Sequence, residues 1–103
     1  MGKMHAPGEV GAATLVVAKD GKQDELAALL SRWAASFSED EGTEIYAVYR
    51  QRKTPGTFLI LEQFSDEAGR KRHLANPIAS ENRDLFASLV ASTQVTIGDA
   101  IGV

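Results

Sequence analysis

The residues of this chain that could carry acid–base chemistry are His73, Glu62 and a tyrosine of the segment TEIYAVYRQR. A histidine side chain titrates near neutral pH and can accept a phenolic proton there, so His73 is the best candidate for a general base. A structural role for His73 is an equal alternative, in which the ring caps helix carbonyls or packs against Phe64. The chemistry that these residue types suggest is proton abstraction from a small ligand.

Glu62 lies in the apolar run TFLILEQF, where strand alternation places it on the same face as Phe58 and Ile60. A carboxylate on an apolar face needs a partner. We expect an ion pair with Arg50, Arg52 or another basic residue, at the place where two subunits meet, in preference to catalysis. Glu62 also remains a candidate for binding substrate.

Several other residues are candidates for a ligand pocket. Trp33 belongs to the apolar stripe of a predicted helix and is more typical of a core residue than of an aromatic clamp. Asn82 and Arg83 lie on a later helical segment and could reach the mouth of a pocket. The basic run at residues 70–72 is better explained as the solvated end of a helix than as an anion site.

The composition excludes several functional classes. Net charge is −3 and the pI is about 5.3, which gives no basic surface for nucleic acid. The absence of cysteine excludes disulfides, thiolate nucleophiles and cysteine metal sites, and a single histidine within the domain excludes a histidine-rich metal site. No apolar run reaches the length of a membrane span, and no segment resembles a signal peptide, so we expect a cytoplasmic protein.

The hydrophobic pattern predicts a tail at residues 1–11, which includes His5, and one domain at residues 12–103. The domain begins with a strand in AATLVVA and continues with an amphipathic helix over residues 22–38. Two strands, TEIYAVYRQR and TFLILEQF, are joined by KTPG, in which Pro55 and Gly56 suit a type II turn. Tyr46 and Tyr49 face opposite sides of the first of these strands, so one of them at most can line a given cavity.

A short helix follows, capped by Ser65 and interrupted at Asn76 and Pro77, where a second helical segment begins. The last strand lies in TQVTIGDAIGV, with Val95, Ile97, Ile101 and Val103 on one face. This order predicts an α+β protein of the ferredoxin-like, split βαβ type, with a four-stranded antiparallel sheet and helices on one face.

The strands carry more apolar residues than one buried face requires. Residues 15–17 and 58–61 are continuous apolar runs, whereas a sheet covered on one side should alternate. Leaving four or five large side chains in water would forfeit several kcal/mol, at roughly 25 cal/mol per Å². We therefore expect a homodimer in which the second sheet face meets another copy of itself.

The segment EGTEIYAVYRQRKTPGTFLILEQFSDEAGRKRHLANP resembles the antibiotic biosynthesis monooxygenase family, of the dimeric α+β barrel fold. The likeness covers about residues 14–100. It depends on an acidic Glu-Gly before Tyr46, on Glu62-x-Phe64 where the family commonly has Glu-x-Trp, and on His73 nine residues after that aromatic. The resemblance implies a pocket between sheet and helices, and it favours a pocket role for His73 and for the hydroxyl of Tyr46, which would orient the substrate. Ordinary sheet packing is the alternative for Tyr46.

The family resemblance implies a cofactor-independent monooxygenase that oxidises a small aromatic, quinol-like or polyketide substrate with molecular oxygen. His73 and Tyr46 would be catalytic, and Glu62, Phe64, Trp33, Asn82 and Arg83 would bind substrate. A binding or regulatory protein without catalysis, or an isomerase of a small oxygenated metabolite, remain as alternatives. Members that degrade haem typically have an asparagine, a tryptophan and a histidine where this chain aligns Thr14, His73 and Arg83, so we expect no haem and no other cofactor or metal.

Overall fold

The computed structural model describes residues 8–102. The predicted tail up to Pro7, with His5, and the terminal Val103 lie outside the described residues. The elements follow in the order β1 (Val10–Ala18), α1 (Gln23–Phe37), β2 (Thr43–Arg50), β3 (Thr57–Phe64), α2 (Glu67–Leu74), α3 (Pro77–Glu81), α4 (Arg83–Leu89) and β4 (Val90–Asp99).

The strands form a four-stranded sheet in the order β2-β3-β1-β4, and each neighbouring pair is antiparallel. The predicted α+β, ferredoxin-like fold is confirmed. Two boundaries differ from the prediction. β1 begins at Val10, so residues 10 and 11 belong to the sheet and not to the tail, and β4 begins at Val90, directly after α4. Ile101 lies beyond the end of β4, outside the strand.

The β2–β3 connection corrects the predicted turn type. Pro55 and Gly56 do occupy the central positions of a turn, which the N–H of Thr57 closes by donating to the carbonyl oxygen of Thr54 at 2.9 Å. A type II turn requires a positive φ at Gly56, and Gly56 does not have one. The type II assignment is therefore wrong, and proline at the first central position explains the turn without it.

The helix caps are partly as predicted. Asp66, and not Ser65, caps α2, because its carboxylate accepts a hydrogen bond from the N–H of Gly69 at 2.7 Å. An aspartate cap also places negative charge at the helix N-terminus, where the helix dipole favours it. Asn76 caps α3 in extended conformation and Pro77 follows at its first position, which confirms the predicted break.

The core forms between α1 and one face of the sheet. The predicted helix stripe is buried in full: Leu26, Leu29, Leu30, Trp33 and Phe37. It packs against Val16, Phe58 and Ile60, which the pairing register aligns on a single face, named here the inner face. Burying a side chain of this size contributes roughly 1.5–3 kcal/mol, so this contact is a large source of the stability of the fold that holds the site.

The opposite face of the sheet, named here the outer face, carries apolar side chains without a covering helix. Leu15, Leu59 and Leu61 are 40%, 37% and 37% exposed, and Ile45 and Tyr49 on β2 are 47% and 56% exposed. β4 is exposed along nearly its whole length. Val95 and Ile97, in register with Thr14 and Ala12, therefore border an open side of the inner face.

Gly42 and Gly69 bring the turn after α1 against helix α2. Gly42 has a φ of +88°, which side chains other than glycine rarely adopt. A Cβ on Gly42 would lie 2.9 Å from the Cα of Gly69, and a Cβ on Gly69 would lie 2.9 Å from the carbonyl oxygen of Gly42. The Arg72 Nε also donates to the carbonyl oxygen of Glu41 at 3.3 Å. This close approach sets the distance between Asp40, on the turn, and His73, on the helix.

Replacing Gly69 by alanine tests this contact. Helix propensity alone favours alanine by about 1 kcal/mol, but the new methyl group would meet backbone atoms, and overpacking costs about 1–3 kcal/mol. We expect Gly69→Ala to lower the free energy of unfolding by about 1 kcal/mol in urea denaturation. Gly102→Ala, whose Cβ meets no atom within 4 Å, is the control and should have no effect. A more stable Gly69→Ala protein would contradict this account of the contact.

Candidate active site

A cavity of about 350 Å³ lies between the inner face and the helices. Its walls are mainly apolar and include Trp33, Phe37, Ile60, Phe64, Phe86 and Val95. Four side chains with titratable or permanently charged groups also reach it: Tyr46, Glu62, Arg70 and His73. A concave, mostly apolar space with a few convergent polar groups is the usual form of a small-molecule site.

His73 reaches the cavity from the last turn of α2. The residue is 9% exposed. Its ring packs against three aromatic side chains, with centroid distances of 4.4 Å to Phe37, 5.2 Å to Phe64 and 5.6 Å to Tyr46. The predicted packing against Phe64 is present, and so is the predicted place in a cavity, because the ring fills one wall. Contact on several sides fixes the orientation of the two ring nitrogens.

The partner of Glu62 is His73. The Oε1 atom of Glu62 lies 3.1 Å from the Nε2 atom of His73, and their side chains are 12% and 11% exposed. Of the predicted partners, Arg50 instead binds Asp24 at 3.0 Å and lies over the ring of Phe58, so the alternative that was left open, another basic residue, is the one found. The carboxylate on the inner face is thus paired within the subunit, and the pair connects α2 to the middle of the sheet.

Asp40 lies on the other side of the same imidazole. Its Oδ2 atom is 3.9 Å from Nδ1 of His73, which is too long for a hydrogen bond. Both of these atoms are buried, and neither has a hydrogen-bond partner within the described part of the chain. The second oxygen, Oδ1, accepts a hydrogen bond of 2.7 Å from Nδ2 of Asn76. The ring of His73 thus lies between two carboxylates, one close and one slightly withdrawn.

Tyr46 lies on the inner face, opposite Glu62 in the pairing of β2 with β3. Burial and then the nearby Glu62 carboxylate raise the pKa of the Tyr46 hydroxyl well above its ordinary value near 10. The hydroxyl therefore keeps its proton at neutral pH and can donate a hydrogen bond. Tyr49 faces the outer side, as the spacing predicts.

Two of the remaining predicted residues line the cavity. Phe64 forms one wall, and Trp33 stacks on Phe86 at a centroid distance of 5.2 Å. The Nε1 atom of Trp33 is buried and has no hydrogen-bond partner among the described residues. Trp33 is therefore both a core residue and a wall of the cavity.

Asn82 and Arg83 do not line the cavity, which corrects their assignment to a pocket. Asn82 donates from Nδ2 to the carbonyl oxygen of Ile78 at 2.7 Å, so its amide completes α3. Arg83 begins α4 and is exposed. In the basic run at residues 70–72, Lys71 and Arg72 are exposed, as expected. Arg70 instead borders the cavity and pairs with Glu67 at 2.7 Å.

Asp40, Asn76 and Phe86 are not among the residues that the sequence predicts for the site. Asp40 is one of four consecutive residues, Glu39 to Gly42, that were informative only as the end of a helix. Asn76 is predicted only as a helix break, and its hydrogen bond to Asp40 depends on a contact between residues that are 36 positions apart. Phe86 could have been found, since it shares the helical spacing of the last segment with Leu89.

Two further features, a metal-binding cluster and a membrane-spanning helix, are not found among the described residues. The described residues hold no group of three or more histidine, cysteine or acidic residues arranged to bind a metal ion. None of the helices among residues 8–102 is both long and apolar enough to cross a membrane.

The profile of the antibiotic biosynthesis monooxygenase family matches residues 10–85. The chain belongs to this family. The match starts at the first residue of β1 and includes Tyr46, Glu62, Arg70 and His73, the titratable and charged side chains of the cavity. No curated protein matches the sequence.

Solved structures show how widely the fold is shared. PA3566 from Pseudomonas aeruginosa has a TM-score of 0.88 at 17% identity, with 96% of this chain and 100% of that chain covered. Rv0793 from Mycobacterium tuberculosis has a TM-score of 0.85 at 16% identity, with 93% and 98% covered. NE2512 from Nitrosomonas europaea, a protein of unknown function, has a TM-score of 0.81 at 25% identity, with 92% and 91% covered. The likeness to the first two concerns the fold alone.

The raised pKa of the Tyr46 hydroxyl predicts how the free energy of unfolding depends on pH. Because the folded state keeps this proton to a higher pH than the unfolded state, the unfolded state binds fewer protons above about pH 10, and stability falls as the pH rises. The loss is at most about 1.4 kcal/mol per pH unit. We expect the wild type to lose stability between about pH 10 and pH 11 more steeply than Tyr46→Phe, measured by urea denaturation. Parallel curves for the two proteins would contradict the assignment.

Proposed function

We propose that this member of the family is a cytoplasmic, cofactor-independent monooxygenase that oxidises a small aromatic, quinol-like or polyketide substrate with molecular oxygen. The observation that carries the proposal is the pairing of His73 with Glu62 at 3.1 Å inside a largely apolar cavity. A buried acid–base pair beside an aromatic-lined space suits removal of a phenolic or enolic proton.

The reaction begins when the O–H bond of the bound phenol or enol breaks and the proton passes to the His73–Glu62 pair. The electron pair stays on the substrate, which then reduces oxygen. For a substrate with an activated methylene group, the balanced outcome is R₂CH₂ + O₂ → R₂C=O + H₂O. The substrate supplies all four electrons, so the reaction requires oxygen as the only co-reactant.

The cavity walls favour this course in two ways. Aromatic side chains such as Trp33, Phe37 and Phe86 offer flat surfaces against which a ring can pack. The apolar lining also keeps water from a reactive anion. The protonated hydroxyl of Tyr46, buried beside Glu62, can donate a hydrogen bond to the oxygen that becomes negative, and so orient the substrate.

Oxygen uptake tests the proposal. We expect the wild type to consume oxygen above the buffer rate with at least one member of a panel of quinols and anthrone-like phenols. His73→Ala should reduce the rate by roughly 10²- to 10⁴-fold, because a general base is lost. Arg83→Ala, exposed and outside the cavity, is the matched control and should keep the wild-type rate.

If the wild type consumes no oxygen with any member of the panel, the oxygenase proposal fails. A binding or regulatory protein, or an isomerase, then becomes the better account, and the aromatic packing of His73 favours the former because it also suits a structural ring. Trp33 is the single tryptophan of the chain and lines the cavity, so its fluorescence reports ligand binding without turnover.

We also propose that the protein forms a homodimer through the outer face. The family resemblance supports a dimer, and the outer face carries five large apolar side chains that are 37–56% exposed: Leu15, Ile45, Tyr49, Leu59 and Leu61. An apolar patch of this kind on a small protein is typical of an interface. A two-fold axis would bury the same patch on both subunits.

Sedimentation at micromolar concentration tests the dimer. We expect the wild type to sediment as a dimer and Leu61→Glu to sediment as a monomer, because the new charge would be buried at the interface. Leu85→Glu changes a side chain of similar exposure, 40%, on α4 and away from the outer face, and should remain dimeric. A monomeric wild type would contradict the proposal.

A further inference from the structure

Arg70 gives the wall of the cavity a permanent positive charge, which the proton transfer to His73 and Glu62 does not use. Its side chain is 22% exposed and lies on α2, three positions before His73. Residues at this spacing lie on the same side of a helix, so the guanidinium reaches the cavity beside the imidazole. Among the described residues that line the cavity, Arg70 is the one arginine or lysine. A permanent cation in a mainly apolar cavity favours an anionic partner there.

The guanidinium of Arg70 is held from outside the cavity. Its Nη1 atom donates to Oε1 of Glu67 at 2.7 Å. Glu67 is 51% exposed and is not part of the cavity wall, so solvent screens its charge. A guanidinium has five N–H donors in a planar fork, and the bond to Glu67 therefore leaves donors for an acceptor inside the cavity.

Removal of the substrate's proton moves a negative charge within the cavity. With a neutral imidazole, the pair of His73 and Glu62 carries one negative charge before the transfer. When the substrate O–H bond breaks, its proton passes to this pair, which becomes neutral, and the electron pair of the bond stays on the substrate oxygen. The negative charge thus moves from Glu62 to the substrate. Apolar walls solvate an anion poorly, so the new charge needs a positive group nearby.

We propose that Arg70 stabilises the phenolate or enolate form of the substrate in the cavity. This inference rests on the proposed function, which it deepens by naming the group that favours loss of the substrate's proton. An interaction lowers the barrier only if it strengthens as the charge moves. Arg70 meets this condition because it pairs with Glu67, whereas Glu62 pairs with His73, so the two pairs of the site are separate. Its attraction to the ligand therefore grows when the charge leaves Glu62.

The other groups that face the cavity do not replace Arg70. β2 presents Tyr46, which stays protonated and can donate a hydrogen bond to the same oxygen but carries no charge. β3 presents Glu62, and α2 presents His73 beside Arg70. The lining side chains from α1, α3, α4, β1 and β4 are uncharged. The ionisation of a bound phenol should therefore depend on Arg70 in particular.

The ionisation of a bound phenol tests the inference without any turnover. The probe is 4-nitrophenol, because its phenol and phenolate forms absorb at different wavelengths. We expect the pKa of the bound probe to be about one unit higher in Arg70→Gln than in the wild type. This shift corresponds to about tenfold weaker binding of the phenolate relative to the phenol. Lys71→Gln removes the same charge from an exposed side chain next to Arg70, and this matched control should keep the wild-type value.

The variants should fold, because glutamine has a helix propensity close to that of arginine and the lost pair with Glu67 is partly exposed. Arg70→Lys keeps the charge and loses the planar fork, so it should retain most of the effect on the probe. The effect of a charge is thereby separated from a packing role of the long side chain, which lysine and glutamine would alter alike.

Kinetics provide the second measurement. With a substrate found by oxygen uptake, Arg70→Gln should reduce kcat roughly tenfold to a hundredfold, because it removes a charge that acts on the developing anion. KM should change less than about threefold, since the neutral substrate gains little from the guanidinium. Lys71→Gln should keep both constants.

The outcomes separate the two proposals. An equal pKa of the bound probe in Arg70→Gln and the wild type would overturn the role of Arg70, whatever the protein oxidises, and so would a wild type that does not bind the phenolate. A shifted pKa in a protein that oxidises nothing would support the anion site and reject the oxygenase proposal.

Discussion

The arrangement of this protein depends on one carboxylate that the strand register places on a buried face. Glu62 lies between Ile60 and Phe64 on the inner face, and a charge there must be paired, because removing one partner of a buried pair costs about 3–5 kcal/mol. His73 supplies the partner from α2. The Glu62–His73 pair therefore joins α2 to the sheet at the wall of the cavity that carries the titratable groups.

The cavity exists because the helices do not cover the whole sheet. α1 packs over the central strands, and β4 stays exposed on both faces, so the space between α1, α2 and α4 remains open on the side of Val95 and Ile97. The lining combines mainly apolar side chains with Tyr46, Glu62, Arg70 and His73. A ligand with an apolar body and a polar group suits this lining.

Much of the fold could be predicted from local patterns. The α1 stripe, the β2–β3 hairpin and the break at Asn76 and Pro77 each follow from spacing or from the backbone limits of proline, so they do not depend on distant residues. The predictions that the structure corrects concern segments for which more than one local conformation was possible. Ser65 and Asp66 are both good caps, and Pro55-Gly56 suits more than one turn type, so only the surrounding backbone decides between them.

The sequence by itself determined the order of the helices and strands and the face of the sheet on which Glu62 lies. It also indicated the family and marked His73 as a candidate base. Periodicity and motif spacing carry this information because they are properties of neighbouring residues. The partners of these groups were decided only by the tertiary structure. Glu62 pairs with His73 and not with an arginine. Asp40 lies on a turn 33 residues before His73 in the chain, and its carboxylate faces the same ring. Such contacts depend on how close two backbones can approach, and here that distance is set by Gly42 and Gly69, whose effect appears only once the helix and the turn are packed together.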